Sequence, residues 1–314
     1  MKTGNTSGAL PSRGARACVT CWSLALVLFG CCACGVTAAE VLVAMPQVRE
    51  PYRSVLNQIV DGIEQTASAR LVVIDDSSSD PAQAPAPRDE RVVIALGRSA
   101  IEAAAALRNR IPLTVGAVLT PLGRPPLPGI SLEAEPEALF RRLHRLRPAI
   151  RKVHWLYRPA RNGWLLEHAD RAARANGLEL LAVPAEDARS AAQRYQEILE
   201  HADSASEAVW LTQDPALLSV DSALPDILDR AWSNHIVIFS GSVQHVAHGV
   251  LFALFPDNVA MGSELARLAL DAAAGKTVTF RPNRRLRSAI NRRTAEHLGI
   301  VVDAGDFDLV LPAR

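Results

Sequence analysis

Cysteine is missing from most of this chain. All five, Cys18, Cys21, Cys31, Cys32 and Cys34, fall within the first 34 of 314 residues, so the remainder has no disulfide, no cysteine zinc site and no thiol nucleophile. Aromatic residues are scarce too, at 5% against 49% hydrophobic residues overall. The interior must therefore be built from Ala, Leu, Val and Ile, the composition of strands buried on both faces. An excess of one charge is also lacking: 34 Lys and Arg stand against 33 Asp and Glu, and that balance asks for neither nucleic acid nor an anionic lipid surface. No serine sits in G-x-S-x-G, which removes the usual signature of an α/β hydrolase.

The cysteines belong to an N-terminal segment with its own logic. Lys2, Arg13 and Arg16 precede the apolar stretch "CVTCWSLALVLFGCCAC", and the small-residue run "GVTAAE" follows. That order reads as a secretory signal peptide over residues 1–39, cut after Ala38 or Ala39. The protein left behind would be free of thiols, suited to an oxidising extracytoplasmic or periplasmic compartment. Taking those three bases from 34 leaves 31 against 33 acids. The alternative is a lipoprotein anchored through Cys31 in "LFGC".

Beyond that segment, apolar runs of strand length alternate with helical patterns, the signature of parallel α/β architecture. "EVLVAMP", "RLVVID", "VVIAL", "IPLTVGAVL", "KVHWLY", "LELLAVP", "EAVWLT", "HIVIFS" and "GVLFALFP" read as strands. "PYRSVLNQIVDGIEQTA" reads as a helix with Val55, Ile59 and Ile63 on one face, and "NVAMGSELARLALDAAAG" as another with Met261, Leu265, Leu268 and Ala272 at core spacing. Gly177 and Gly275 stand where helices prefer to stop. "DSSSDPAQAPAPRDE" is too rich in Pro, Ser and Asp for a helix, and the proline-dense "TPLGRPPLPG" reads as the first crossing between two lobes. The division expected is residues 40–130 plus 246–280 for lobe 1 and 131–245 plus 281–314 for lobe 2.

The turn "ALGRSAIEA" poses the functional question. A dinucleotide fingerprint requires G-x-G-x-x-G, and here Ser99 stands in place of the second glycine. "GKT" at Gly275 ends a helix rather than following a strand, so it is no P-loop. One reading is structural: Ser99 caps the helix and Glu102 completes an S-x-x-E capping box. The other adds ligand contact, because the first helical turn opens onto the carboxyl edge of the sheet, where open α/β folds hold ligands.

The blocks "VVIALGRSAIEAAAALRNRIPLTVGAVLTP", "KVHWLYRPARN", "AVWLTQDPA", "IVIFSGS", "HGVLFALFPDNVAMGSELARLALDAAAGK" and "INRRTAEHLGI", in that order, resemble the substrate-binding proteins of a class of bacterial ABC transporters. That group includes binders of aromatic amino acids. The resemblance implies a type I periplasmic-binding fold, two doubly wound parallel-sheet lobes with a ligand cleft between them. It also implies an extracytoplasmic solute-binding component of an import system, monomeric, with an ABC permease as partner, no enzymatic activity and no cofactor. The alternative is a ligand sensor that signals to a membrane receptor or kinase without transport.

Carried over position by position, the resemblance implies a ligand set of Met45, Pro46, Gln47, Gly97, Arg98, Ser99, Ala100 and Thr120 from the first lobe. From the second come Arg161, Asn162, Gln213, Asp214, Ser240, Gly241 and Ser242, with Asp257 near a hinge. Members of the group usually carry a helix between the second strand and the glycine turn, where this chain has its proline-rich loop. The acidic residue common in the second-lobe loop is here Arg161. Arg98 and Arg161 either clamp a carboxylate or phosphate together or stand solvated at the cleft rim.

Other candidates are weaker. His245 and His248 have metal-ligand spacing only on a helix, and a loop entering a strand is expected there; no metal site is expected. "IDDSSSD" lacks the glycine and distal Glu of an EF-hand loop. Trp155 and Trp210 lie inside strands and should be core. Trp164, beside Asn162, either packs in the structure or stacks on a planar ligand.

Overall fold

The computed structural model describes residues 40–75 and 85–312. The signal-peptide and Cys31 expectations, and the centre of the proline-rich loop, lie outside the described residues. Among those described, no helix is long and apolar enough to cross a membrane.

In chain order the elements are β1 (Val41–Pro46), α1 (Tyr52–Glu64), β2 (Ala69–Ile74), β3 (Val92–Leu96), α2 (Arg98–Ala104), β4 (Leu113–Val118), β5 (Gly129–Ala134), α3 (Pro136–Leu146), β6 (Lys152–Tyr157), α4 (Pro159–Asn162), α5 (Leu166–Ala175) and β7 (Glu179–Pro184). There follow α6 (Ala188–His201), β8 (Glu207–Leu211), α7 (Ala223–Ser233), β9 (Val237–Ser240), α8 (Val243–His248), β10 (Phe252–Pro256), α9 (Asn258–Ala273), β11 (Phe280–Asn283), β12 (Leu286–Asn291), α10 (Arg292–His297) and β13 (Leu309–Leu311). Two sheets result, a six-stranded one ordered β11-β5-β4-β3-β1-β2 and a seven-stranded one ordered β13-β12-β10-β9-β8-β6-β7. Pairing is parallel throughout the first sheet, and in the second β12 runs antiparallel to β10.

The central strands of each sheet are covered on both faces, as an uninterrupted apolar strand requires, while Leu71 and Val73 of the edge strand β2 are exposed. In β1, Val41 and Val43 face the α1 and α9 side, while Leu42 and Ala44 face α2. The few aromatics are concentrated: Trp155, Trp210, Phe239 and Phe252, on neighbouring strands of the second sheet, stack with centroids 4.7, 6.4 and 5.2 Å apart. Phe140 of α3 meets Trp210 edge-on at 5.6 Å. Trp155 and Trp210 are core, as their place in apolar strands implied.

The chain passes between sheets after β5, after β10 and after β11. Two sequence expectations are corrected here. The proline-dense stretch joins β4 to β5 within the first sheet, and the crossing comes later, at Glu135. The expected lobe 1 includes residues 246–256, yet β10 pairs with β9 and β12 in the second sheet, so the chain returns only at Asp257. The crossings are tied together. Glu135 N–H donates to Asn283 O at 2.8 Å and Asp257 N–H to Arg285 O at 2.8 Å, while the Glu264 carboxylate of α9 pairs with both Arg281 and Arg285.

Helices α1 and α9 touch backbone to backbone. A Cβ on Gly62 would lie 1.9 Å from Val259 O, and one on Gly262 would lie 2.0 Å from Ile59 O. Ser263 Oγ donates to Gly62 O at 2.9 Å across the same contact. Alanine is the better helix former by about 1 kcal/mol, but here its methyl group would force the helices apart. Gly62→Ala and Gly262→Ala are each expected to lose about 2–3 kcal/mol of stability in urea unfolding, and a gain in either variant would contradict this packing.

Candidate functional site

The carboxyl ends of β1, β3, β4 and β5 form one rim and those of β6, β8 and β9 another. On the first rim, Gly97 takes φ 77°, ψ 163°, a backbone state that L side chains rarely adopt. It turns β3 directly into α2, and a Cβ there would come 3.3 Å from Pro46 Cγ. Met45, Pro46 and Gln47 are thereby brought beside Gly97, Arg98, Ser99 and Ala100, with Gly97 N–H bonded to Gly116 O at 2.9 Å. The helix begins at Arg98, two residues earlier than the S-x-x-E pattern implies, so Ser99 makes no cap and the expected capping box does not form. Glu102 instead lies 3.6 Å from the Arg98 guanidinium, with both side chains exposed.

Strand β4 carries an irregularity near its end. Its register with β5 shifts between Val115 and Val118, and Ala117 takes φ 56°, a conformation uncommon for a residue with a Cβ. The Ser131 hydroxyl holds this bulge, donating to Leu119 O at 2.8 Å and accepting from Glu133 N–H at 3.0 Å. Thr120 follows the bulge on the rim. Glu133 itself, absent from the sequence-derived set, is 5% exposed.

On the second rim, Asp214 is 1% exposed and accepts from Arg158 Nε at 2.8 Å and Nη2 at 2.9 Å, a bidentate pair. It also accepts from Ala216 N–H at 3.1 Å. Asn162, 3% exposed, closes α4 by accepting from Arg158 N–H at 3.4 Å. Ser240 is committed to its own loop: it accepts from Ser242 N–H at 3.1 Å, and its oxygen is 2.7 Å from His245 Nδ1. Burial, aided by the nearby His248, pushes His245 down to about 4, so the ring that shares this hydrogen bond with Ser240 is neutral. His245 and His248 lie on helix α8, not in the loop expected from sequence. Among the described residues no group of three or more side chains is placed to hold a metal.

Gln213 leaves β8 and lies over Gly241, where a Cβ would meet its Nε2 at 2.6 Å. From there Nε2 donates to Glu133 Oε2 at 2.9 Å, so the two rims are bonded to each other. A second contact lies beside it: Trp164 packs on Phe280 of β11 with ring centroids 5.1 Å apart. Burial raises the Glu133 carboxyl to about 7, with the Gln213 hydrogen bond and Arg161 opposing and the Asp214 charge adding to the rise. Around this contact Arg161 Nε, Trp164 Nε1 and Asn283 Nδ2 are buried with no hydrogen-bond partner among the described residues.

The sequence-derived set is thus divided into two clusters, one per rim. The bond between rims comes from Gln213, which the set includes, and Glu133, which it omits. A lone glutamate in "GISLEA" gives no sequence signal of burial; the register of β5 beside β11, with Asn283 opposite Ala134, creates it.

No protein-family model matches the chain, and no curated protein matches it. Solved structures do. A substrate-binding protein with adhesive properties from Clostridium difficile, in a ligand-free, open form, matches at TM-score 0.61 with 14% identity over 88% of this chain and 100% of that one. A conserved domain protein from Vibrio cholerae matches at 0.55 with 17% identity over 86% and 99%. A domain in complex with L-Trp from Streptococcus pneumonia matches at 0.54 with 15% identity over 87% and 100%. The fold is that of the type I periplasmic-binding proteins.

The Arg158–Asp214 pair supports the rim that carries Gln213. Arg158→Met leaves a buried carboxylate uncompensated and is expected to cost about 2–4 kcal/mol of stability. Adding Asp214→Asn should recover part of the loss, and a neutral single variant would show that the pair contributes nothing.

Proposed function

We propose that this protein is an extracytoplasmic solute-binding component of an ABC-type import system, closing two lobes over a small molecule that carries a carboxylate. The observation that supports this reading most is the cluster of buried donors at the contact between rims. A buried donor without an acceptor costs about 1–3 kcal/mol, and Arg161 Nε, Trp164 Nε1 and Asn283 Nδ2 all stand in that condition. A solute rich in acceptor oxygens would satisfy them together. The guanidinium of Arg161 is suited to a planar carboxylate, and the indole of Trp164 offers both an N–H and an apolar ring.

In this reading the site performs no bond making or breaking. Its work is differential binding: a solute that contacts both rims stabilises the closed arrangement over the open one by the contacts it makes only there. The closed form is then what a permease receives. Gly97 and Pro46 shape the first rim for close approach, Gln213 and Asn162 supply the second, and Asp214 acts through Arg158 as a support. Signal-peptide export and a permease partner belong to the same proposal.

The purified protein is to be screened by thermal shift against amino acids, including L-Trp, and against small carboxylates, sugars and nucleobases. A carboxylate-bearing solute at about 100 times its Kd is expected to add roughly 2.7 kcal/mol of stability. Arg161→Gln should weaken that solute at least about tenfold, the loss expected for a charge-assisted hydrogen bond, and leave the unliganded melting temperature unchanged. A panel without any hit, or an Arg161→Gln variant of undiminished affinity, would overturn the proposal.

A further inference from the structure

We propose that Glu133 is a proton-binding site at the meeting of the two lobes, so that closing the cleft takes up one proton and opening releases it. The inference rests on the two-lobe solute-binding reading and adds to it a second bound species, the proton.

The geometry comes first. Glu133 is the last charged residue of β5 before the first crossing, and it is 5% exposed. One oxygen, Oε2, accepts from Gln213 Nε2 at 2.9 Å. An ionised carboxylate could accept several such bonds, yet among the described residues no other side-chain or backbone donor bonds to this one. A buried carboxylate with a single neutral donor is poorly compensated, and it is the ionised form that suffers. The proton, drawn from solvent, therefore sits on the carboxyl group while its Oε2 continues to accept from Gln213.

The charged groups facing it from each packed element lead to the same result. From the loop after β8 comes Asp214, whose negative charge opposes ionisation, although Arg158 holds it. From α4, after β6, comes Arg161, which favours ionisation and whose buried Nε has no hydrogen-bond partner among the described residues. On β11, Arg281 is engaged by Glu264. At the crossing, Glu135 is engaged by Arg284 at 3.0 Å. The parts of β4 and β10 beside β5, Val118–Thr120 and Phe252–Pro256, carry no charge. Burial remains the largest influence and holds the carboxyl at about 7.

A cleft built this way is selective. When the lobes separate, Gln213 leaves and Glu133 meets solvent, so its affinity for the proton falls back toward that of an ordinary glutamate. Any solute that holds the lobes together is then bound along with the proton. A solute carboxylate placed near Glu133 strengthens the effect, because two carboxylates in one site cannot both ionise readily.

The test uses the full chain without solute. A 13C NMR titration of the Glu133 side-chain carboxyl, assigned by its loss in Glu133→Gln, is expected to show a midpoint near 7. A midpoint near 4.5, that of an ordinary glutamate, would overturn the proposal. The second readout is the urea-unfolding equilibrium of wild type and Glu133→Gln between pH 4 and 9. The native state binds the proton more tightly than the unfolded chain, so the wild-type advantage is full below pH 4.5 and declines as pH rises to about 7. The decline should reach about 10² to 10³ in the folding equilibrium constant relative to Glu133→Gln and then level off. A pH-independent difference would contradict the inference. Neither readout involves a solute, so failure here removes the proton and leaves the solute reading to its own screen.

Discussion

The hydrogen bond from Gln213 to Glu133 is the interaction around which the site is organised, because it joins strand ends that belong to different sheets. Everything near it serves placement. Gly241 has no side chain, which makes room for Gln213. The Ser131 hydroxyl fixes the bulge of β4 and the backbone of Glu133 at once. Asp214, neighbour to Gln213 in the chain, is clamped by Arg158 so that the loop keeps its shape. A neutral amide and a buried carboxyl make a weak bond by the standards of ion pairs, and weakness suits the proposed contact, which breaks whenever the lobes part.

Motion requires that the connections remain joined while the rims separate. The three crossings are bonded to one another through Glu135, Asn283, Asp257 and Arg285, and Glu264 gathers Arg281 and Arg285 onto α9. The α1–α9 contact then fixes α9 to the body of the first lobe at backbone distance. The connections between the sheets are therefore a cross-braced set of short segments, while Gln213–Glu133 and Trp164–Phe280 join the rims at the strand ends.

Most of the architecture was legible in the sequence, for a physical reason: parallel strands buried on both faces must be unbroken apolar runs, and helices must be amphipathic. The resemblance supplied the two-lobed plan. What was not legible was set by long-range register. The return from the second lobe comes later than the sequence suggests because β10 reads like any other buried strand, and its pairing with β9 and β12 assigns it to the second sheet. Ser99 and Glu102 match a capping pattern, but Gly97, at positive φ, starts the helix two residues sooner. Asp214 looks free in "LTQDP", and its partner Arg158 is far back in the chain. Glu133 gave no local signal, since its burial arises where β4, β5 and β11 meet the second lobe.

The claim at the centre of this account is that the two rims part and meet, with Glu133 governing the balance. The most direct measurement is the inter-lobe distance by double electron–electron resonance, with spin labels at Asn57→Cys on α1 and Gln193→Cys on α6, both exposed, and the N-terminal cysteines replaced by serine. The account predicts one short distance at pH 5.5, a second longer population at pH 8.5, and no such change in Glu133→Gln. A single distance that is the same at both pH values would contradict it.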